Sequence, residues 1–233
     1  MREYKETIIL SLGGSLIVPN GGIDASFLKS FSEFIRRHIN EGRRFFIITG
    51  GGGTAKHYID GATEVTSDVP HEDLDWLGIH TTRLNAHLMR TIFRDIARPQ
   101  IIEHYEEAQD VEDYPIVIGS GWKPGWSTDY CAVSMAKNYG AKTVINMSNT
   151  DGVYTADPRK DSGATRINTM TWEKYRGMVG DKWTPRLSAP IDPIAARLSD
   201  EIALTVITLD GKNLDNLEKA IDGQEFVGTR ITK

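Results

Sequence analysis

The sequence predicts an α/β fold in which a mostly parallel sheet is covered by helices on both faces. Two observations carry this. Short, almost wholly apolar runs such as TIILSL (7–12) and RFFIIT (44–49) read as strands buried on both sides. Between such runs lie segments with apolar residues at helical spacing, and that alternation supplies the crossovers a parallel sheet requires. A third observation singles out one edge of the sheet. Three of the first four strands end in glycine-rich turns, SLGGSL, ITGGGGTA and VIGSGWKPGWSTD. In open sheets of this kind, ligands sit beyond the carboxyl ends of the strands.

Each element follows in order. TIILSL is a strand that stops at a glycine turn. DASFLKSFSEFIRRHINEG (24–42) places Phe27, Leu28, Phe31, Phe34, Ile35 and Ile39 on one helix face, with Asp24 as its cap and Gly42 at its end. RFFIIT is the second strand and leads into four consecutive glycines. Residues 72–97 read as a long helical stretch with a break at Gly78. PIVIGSG (115–121) is the third strand. Residues 127–141 form a helix that Ser127 or Thr128 can cap, with Asp129 in its first turn. KTVINMS (142–148) is the fourth strand. A helix at 190–199, a strand at 203–208, a helix at 213–221 and a strand at 226–231 complete the chain.

The totals narrow the function. At 233 residues the chain suits one large α/β domain or two small lobes, and its 39% hydrophobic and 25% charged content is that of an ordinary globular protein. A net charge of −5 disfavours a general nucleic-acid partner but leaves room for a local phosphate pocket. One cysteine, Cys131, allows neither an internal disulfide nor a cysteine zinc cluster, and an apolar helix interior accounts for it. The apolar stretch near the N-terminus is too short for a signal peptide or a membrane span, so a cytoplasmic protein is expected. The six histidines lack metal-ligand spacing, and no metal held by protein ligands is expected.

The motifs carry two readings each. GGGG (50–53) is either a tight strand-to-helix turn or a loop whose bare amides approach an anion. It lacks both the Gly-Lys-Ser/Thr of a Walker loop and the dinucleotide spacing. Lys56, one turn into the next helix, is either solvated or reaches back over a phosphate. In GWKPGWSTD (121–129), a Pro-Gly turn precedes a capped helix, and Trp122 and Trp126 either grip a base or sugar or face another subunit. In SNTDGVYTADPRK (148–160), two turns flank an extended piece. Asn149, Asp151 and Asp157 can face a nucleotide and its magnesium there, with Tyr154 beside an adenine.

Taken in order, LGGSL, TGGGGTAKHYI, LDWLGIHTTRLNA, PGWSTD, NTDGVYTADPRK, IDPIAA and FVGTRI resemble the amino-acid kinase superfamily and, within it, the archaeal-type uridylate (UMP) kinases. The resemblance runs nearly end to end. It implies a single three-layer α/β/α domain over 1–233 with a sheet of about eight strands, residues 1–128 serving mainly UMP and 129–233 mainly ATP. It implies the substrates UMP and ATP with Mg²⁺, a role in pyrimidine nucleotide synthesis, and a homohexamer built as a trimer of dimers. The ATP-facing first loop falls on Ser11, Leu12, Gly13, Gly14 and Ser15, with Gly13 and Gly14 at the reaction centre. Gly51 falls against UMP and Gly52 near ATP. Lys56 spans both phosphate chains, and Asp75 holds the ribose hydroxyls of UMP. Trp122, Lys123, Pro124, Gly125, Trp126, Ser127 and Thr128 enclose the uracil and phosphate of UMP. Ser148, Asn149, Tyr154 and Asp157 contact ATP.

The chain departs from that pattern at three places. Ser11 stands where many members carry a lysine, Lys56 where arginine is common, and KWTPRLSAPIDP (182–193) replaces a run of small residues. The cation facing the transferred group then falls on Lys56, with Lys123 and Lys182 as further sources. The implied reaction needs no general base, because a nucleotide phosphate is already mostly ionised at neutral pH. Asp75 would repel a carboxylate acceptor, which argues against glutamate, acetylglutamate and aspartate kinases. A non-catalytic nucleotide- or oxoanion-binding protein on the same fold is the alternative that the missing first-loop lysine keeps open.

Overall fold

The computed structural model describes residues 4–20, 22–111, 113–158, 160–180 and 190–233. The first half runs β1 (Glu6–Leu12), α1 (Gly14–Ile17), α2 (Ala25–Asn40), β2 (Arg43–Thr49), α3 (Gly52–Val65), α4 (His71–Ile92) and β3 (Ile116–Gly119). The second half runs α5 (Thr128–Tyr139), β4 (Thr143–Ser148), β5 (Val153–Tyr154), β6 (Arg166–Ile167), β7 (Thr169–Thr171), α6 (Trp172–Val179), α7 (Pro193–Glu201), β8 (Thr205–Asp210), α8 (Leu214–Ile221) and β9 (Thr229–Thr232). Seven strands form one sheet in the order β3-β2-β1-β4-β8-β9-β7, and β5 and β6 form a separate antiparallel pair. Every pairing in the large sheet is parallel except β8 with β9.

The three layers follow from strict alternation along the buried strands. Ile8, Leu10 and Leu12 of β1 and Phe45 and Ile47 of β2 face one core, completed by Phe31 and Ile35 of α2, Met89 of α4 and Leu217 of α8. Ile9, Phe46 and Ile48 face the opposite core, completed by Cys131 and Met135 of α5, Trp172 and Tyr175 of α6 and Ala195 of α7. A one-residue slip in any strand would exchange these two sets, so the register is strongly specified. The caps agree with the sequence. Asp24 accepts from Phe27 N–H, and Ser127 accepts from Tyr130 N–H. Gly140 closes α5 at φ 68, a left-handed position that favours glycine.

Two expectations need revision. α4 does not break at Gly78. Glycine inside a helix costs only about 1 kcal/mol relative to alanine, and Ile79, Ala86 and Met89 keep the helix buried beyond it. The helix also stops at Ile92 rather than near 97, because Phe93 is buried and the chain turns so that Ala97 and Ile102 bridge to β3. Among the described residues the large sheet holds seven strands, in keeping with the mostly parallel sheet of about eight that was expected, and the β5–β6 pair lies apart from it. Among the described residues no helix is long and apolar enough to cross a membrane.

Candidate active site

The glycine turns after β1 and β2 meet backbone to backbone. A Cβ on Gly14 would overlap Gly52 N and stand 2.6 Å from Gly50 C, so no larger residue fits. Gly52 opens α3 at φ 63, again where glycine is favoured. Some amides are engaged within the protein. Gly13 N–H donates to Met147 O (3.0 Å), Gly50 N–H to Leu12 O (2.9 Å) and Gly53 N–H to Val18 O (2.7 Å). Among the described residues the amides of Gly14, Gly51 and Gly52 have no backbone acceptor, the last two at the N-terminal end of the 14-residue α3. The four-glycine run lets two loops touch, and its unengaged amides lie at the point of contact.

α4 fastens this cradle to the loop after β3. The buried Asn85 side chain donates to Gly50 O (2.7 Å), and Thr49 Oγ1 donates to Thr82 O (2.9 Å). Thr82 Oγ1 accepts from Gly121 N–H (2.8 Å), and Asp75 Oδ2 accepts from Gly125 N–H (2.9 Å). Pro124 and Gly125 occupy the centre of a turn, with Gly125 at φ 83 and Trp126 N–H donating to Lys123 O (3.2 Å). Asp75 and the 122–128 loop thus share one wall. Trp122 is 8% exposed and packs against Tyr105 and Trp126 in the core, so its ring face is not open to a base, while Trp126 is half-buried. Lys123 lies over the Trp122 ring, 4.0 Å from its centroid, and pairs with Glu106. Lys56 is exposed on α3. Lys182 falls outside the described residues.

Two carboxylates stand behind the cradle without a cation beside them among the described groups. Ser11 Oγ donates to Asp129 Oδ1 (3.2 Å), and Ser127 Oγ donates to Asp192 Oδ2. Asp192 also caps α7, accepting from Ile194 and Ala195 N–H. In Asp129, burial first, and the Asp192 charge second, push the carboxyl up to about 7. The hydroxyl of Ser11 is thus turned onto an acid. Leu12 contributes only its carbonyl to the loop, its side chain being in the core, and Ser15 is half-buried.

On the other side of β1, a cleft of about 430 Å³ lies beyond β4. Ser148, Asn149, Tyr154 and Asp157 all line it, as the sequence grouped them. Tyr175, Met178, Val179 and Pro190 complete its walls, and none of these was singled out in advance. Asn85, Thr82, Asp129 and Asp192 were likewise not assigned roles. For Asn85 and Thr82 the signal existed, since polar residues three apart on the buried face of an amphipathic helix call for partners. Asp192 had only the cap pattern of Asp followed by Pro.

Residues 6–208 match the model of the amino acid kinase family. A uridylate kinase of Methanocorpusculum labreanum is 34% identical over 226 residues, 96% of this chain and 94% of that protein. One from Methanospirillum hungatei is 35% identical over 97% of this chain and 95% of its own length. The crystal structure of uridylate kinase from Archaeoglobus fulgidus superimposes with a TM-score of 0.82 at 29% identity, covering 97% of this chain and 99% of that one. The UMP kinase of Bacillus anthracis shares the fold, with a TM-score of 0.77 at 18% identity.

Proposed function

The chain belongs to the amino acid kinase family, and on that premise we propose that it is a uridylate kinase, moving the γ-phosphoryl of ATP onto the phosphate of UMP to give UDP and ADP. The observation that carries this is the unbroken set of contacts joining two recognition regions through one bare-amide cradle. Asp75 reaches the 122–128 loop, that loop reaches α4, α4 holds Gly50, Gly50 touches Gly14, and Gly13 is bonded to the end of β4, where the 148–158 cleft begins. We assign UMP to the first region and ATP to the second, with residues 1–128 and 129–233 contributing mainly to each.

The chemistry asks little of the side chains. The second pKa of a nucleotide phosphate lies near 6, so the attacking oxygen of UMP is already charged and no base is required. The obstacle is the approach of two anions in line, and catalysis consists of placing them and offsetting their charge. The Gly14, Gly51 and Gly52 amides and the N-terminal end of α3 supply fixed positive dipoles, and Lys56 and Lys123 mobile charge. Asp75 accepts hydrogen bonds from ribose hydroxyls and repels carboxylate acceptors. Mg²⁺ takes most of its ligands from phosphate and water, and it would offset charge between the phosphates of ATP. Asn149 and Asp157 can contribute oxygens to it. Asp151 is not among the residues lining the cleft, and its oxygens accept from Tyr154 and Arg166. This thin donor set fits a metal that arrives with the nucleotide.

We further propose a cytoplasmic enzyme of pyrimidine nucleotide synthesis that assembles as a homohexamer. Self-association is supported by α3, none of whose residues is buried, with Tyr58 62% and Val65 88% exposed and Leu84 of α4 62% exposed. Sedimentation would measure the assembly. The function is tested by ADP release with UMP, CMP, carbamate, glutamate and acetylglutamate as acceptors. UMP should be fastest by a wide margin, and faster turnover with any other acceptor contradicts the proposal.

A further inference from the structure

The hairpin beside the 148–158 cleft is fastened by charged groups that phosphoryl transfer does not call for. Asp151 accepts from the Tyr154 hydroxyl at Oδ1 (2.8 Å) and from Arg166 Nη1 at Oδ2 (2.8 Å). Arg166 Nε makes a long contact to Asn168 Oδ1 (3.5 Å). The clasp is anchored to the large sheet, since Val153 N–H donates to Thr229 Oγ1 (2.8 Å) and that hydroxyl donates to Ile167 O. Gly152 admits it: a Cβ there would meet Thr229 Oγ1 at 2.7 Å and Arg166 Cδ at 2.9 Å. Burial opposes ionisation of Asp151, yet the bonds from Tyr154 and Arg166 hold its carboxyl below the ordinary range. Tyr154 and Gly152 both line the cleft, with Met178 and Val179 of α6 among its apolar walls.

We infer that Arg166 is a positioning residue for the purine nucleotide: through Asp151 it fixes the Tyr154 ring as a wall of the base cleft. The inference rests on the proposal that this cleft takes ATP. A tyrosine ring offers a flat face on which a base stacks. Held by its hydroxyl, the ring is already ordered before the base arrives. Released, it must be immobilised on binding, and affinity falls accordingly. The effect is confined to one substrate, because neither Arg166 nor Asp151 contacts the 122–128 loop or Asp75 in any bond described above.

The test is steady-state kinetics on Arg166→Gln, Arg166→Lys, Tyr154→Phe and Asp151→Asn, with ATP and UMP varied separately and Mg²⁺ titrated at saturating nucleotide. Arg166→Gln and Tyr154→Phe should each raise KM for ATP by about three- to tenfold. KM for UMP should stay within about twofold, and the lysine variant should recover part of the loss. In Asp151→Asn the Mg²⁺ concentration giving half-maximal rate should not move. Equal rises in both KM values, or an unchanged KM for ATP, overturn the clasp and leave the kinase reading standing. A shifted Mg²⁺ midpoint in Asp151→Asn overturns it as well, by making that acid a metal ligand. Tyr154→Phe removes a single oxygen and decides the matter should Arg166→Gln fail to fold. A wild-type chain without saturable dependence on ATP overturns both the assignment of the cleft and the clasp.

Discussion

The two halves of the cleft are built of different materials. On the side of β1 and β2 the surface is backbone: glycines so close that a methyl group at Gly14 would overlap the neighbouring loop. Its carboxylate, Asp129, accepts from Ser11 and faces a second acid, Asp192, with no cation beside it among the described residues. On the side of β4 the surface is side chain, and its carboxylate, Asp151, is held between an arginine and a tyrosine. Burial raises both acids; in Asp129 a second acid adds to the rise, and in Asp151 hydrogen bonds reverse it. The difference teaches that the glycine half excludes bulk and leaves its acids without a cation among the described residues, whereas the half beyond β4 holds its acid in an ordinary ion-pair clasp.

The largest expected effect comes from filling the backbone half. Gly14→Ala forces two main chains apart, which should cost on the order of 1–3 kcal/mol in stability. Misplacement of the phosphates by a fraction of an ångström to an ångström should lower kcat/KM by more than about a hundredfold. Denaturant unfolding and initial rates would read both, and a variant of near-wild-type activity would break the comparison. Next, Asp75→Asn should raise KM for UMP by about ten- to a hundredfold through loss of charged hydrogen bonds to ribose. KM for ATP should stay nearly constant, and equal losses for the two substrates would discredit the assignment of Asp75.

Asp129 sharpens the comparison through pH. Its carboxyl is raised in the folded protein, so the neutral form contributes stability that is complete below the ordinary carboxylate range and is lost as pH rises through about 7. Asp129→Asn cannot ionise. The variant's melting temperature relative to wild type should therefore climb between about pH 5 and about pH 8, by an amount on the order of 1–3 kcal/mol of stability. A pH-independent difference would mean that Asp129 is charged throughout. The smallest effect belongs to Arg36, which grips Asp95 through two bonds (2.7 and 2.8 Å) far along the chain from either loop. That pair is exposed, and Arg36→Ala should cost less than about 1 kcal/mol with unchanged KM values. It measures what the geometry of the Asp151–Arg166 pair is worth when no ligand depends on it.

Legibility in the sequence followed the range of the signal. β1, β2, β4 and α2 were readable because several consecutive residues repeat one instruction, apolar on both faces or apolar every third and fourth place. β6, β7 and α6 were not, because strands of two and three residues are too short to show a period and α6 has only eight residues with Gly177 inside it. The same holds in the site. The glycine turns, the Pro-Gly turn and the order of the 148–157 motif are local and were seen. The pairing of Ser127 with Asp192, 65 positions away, and of Ser11 with Asp129, 118 away, leaves no trace in any local spacing. The ring of Trp122 misled for a related reason: a loop tryptophan reads as a surface group until the core it fills is known.

The central claim is that two nucleotides lie end to end across the touching glycine turns of each chain. It is tested most directly by titrating the protein calorimetrically with a compound that joins adenosine and uridine through a polyphosphate bridge. One molecule should bind per chain, displaced both by ATP and by UMP. Displacement by only one of them, or binding no tighter than that of either nucleotide alone, would contradict the account.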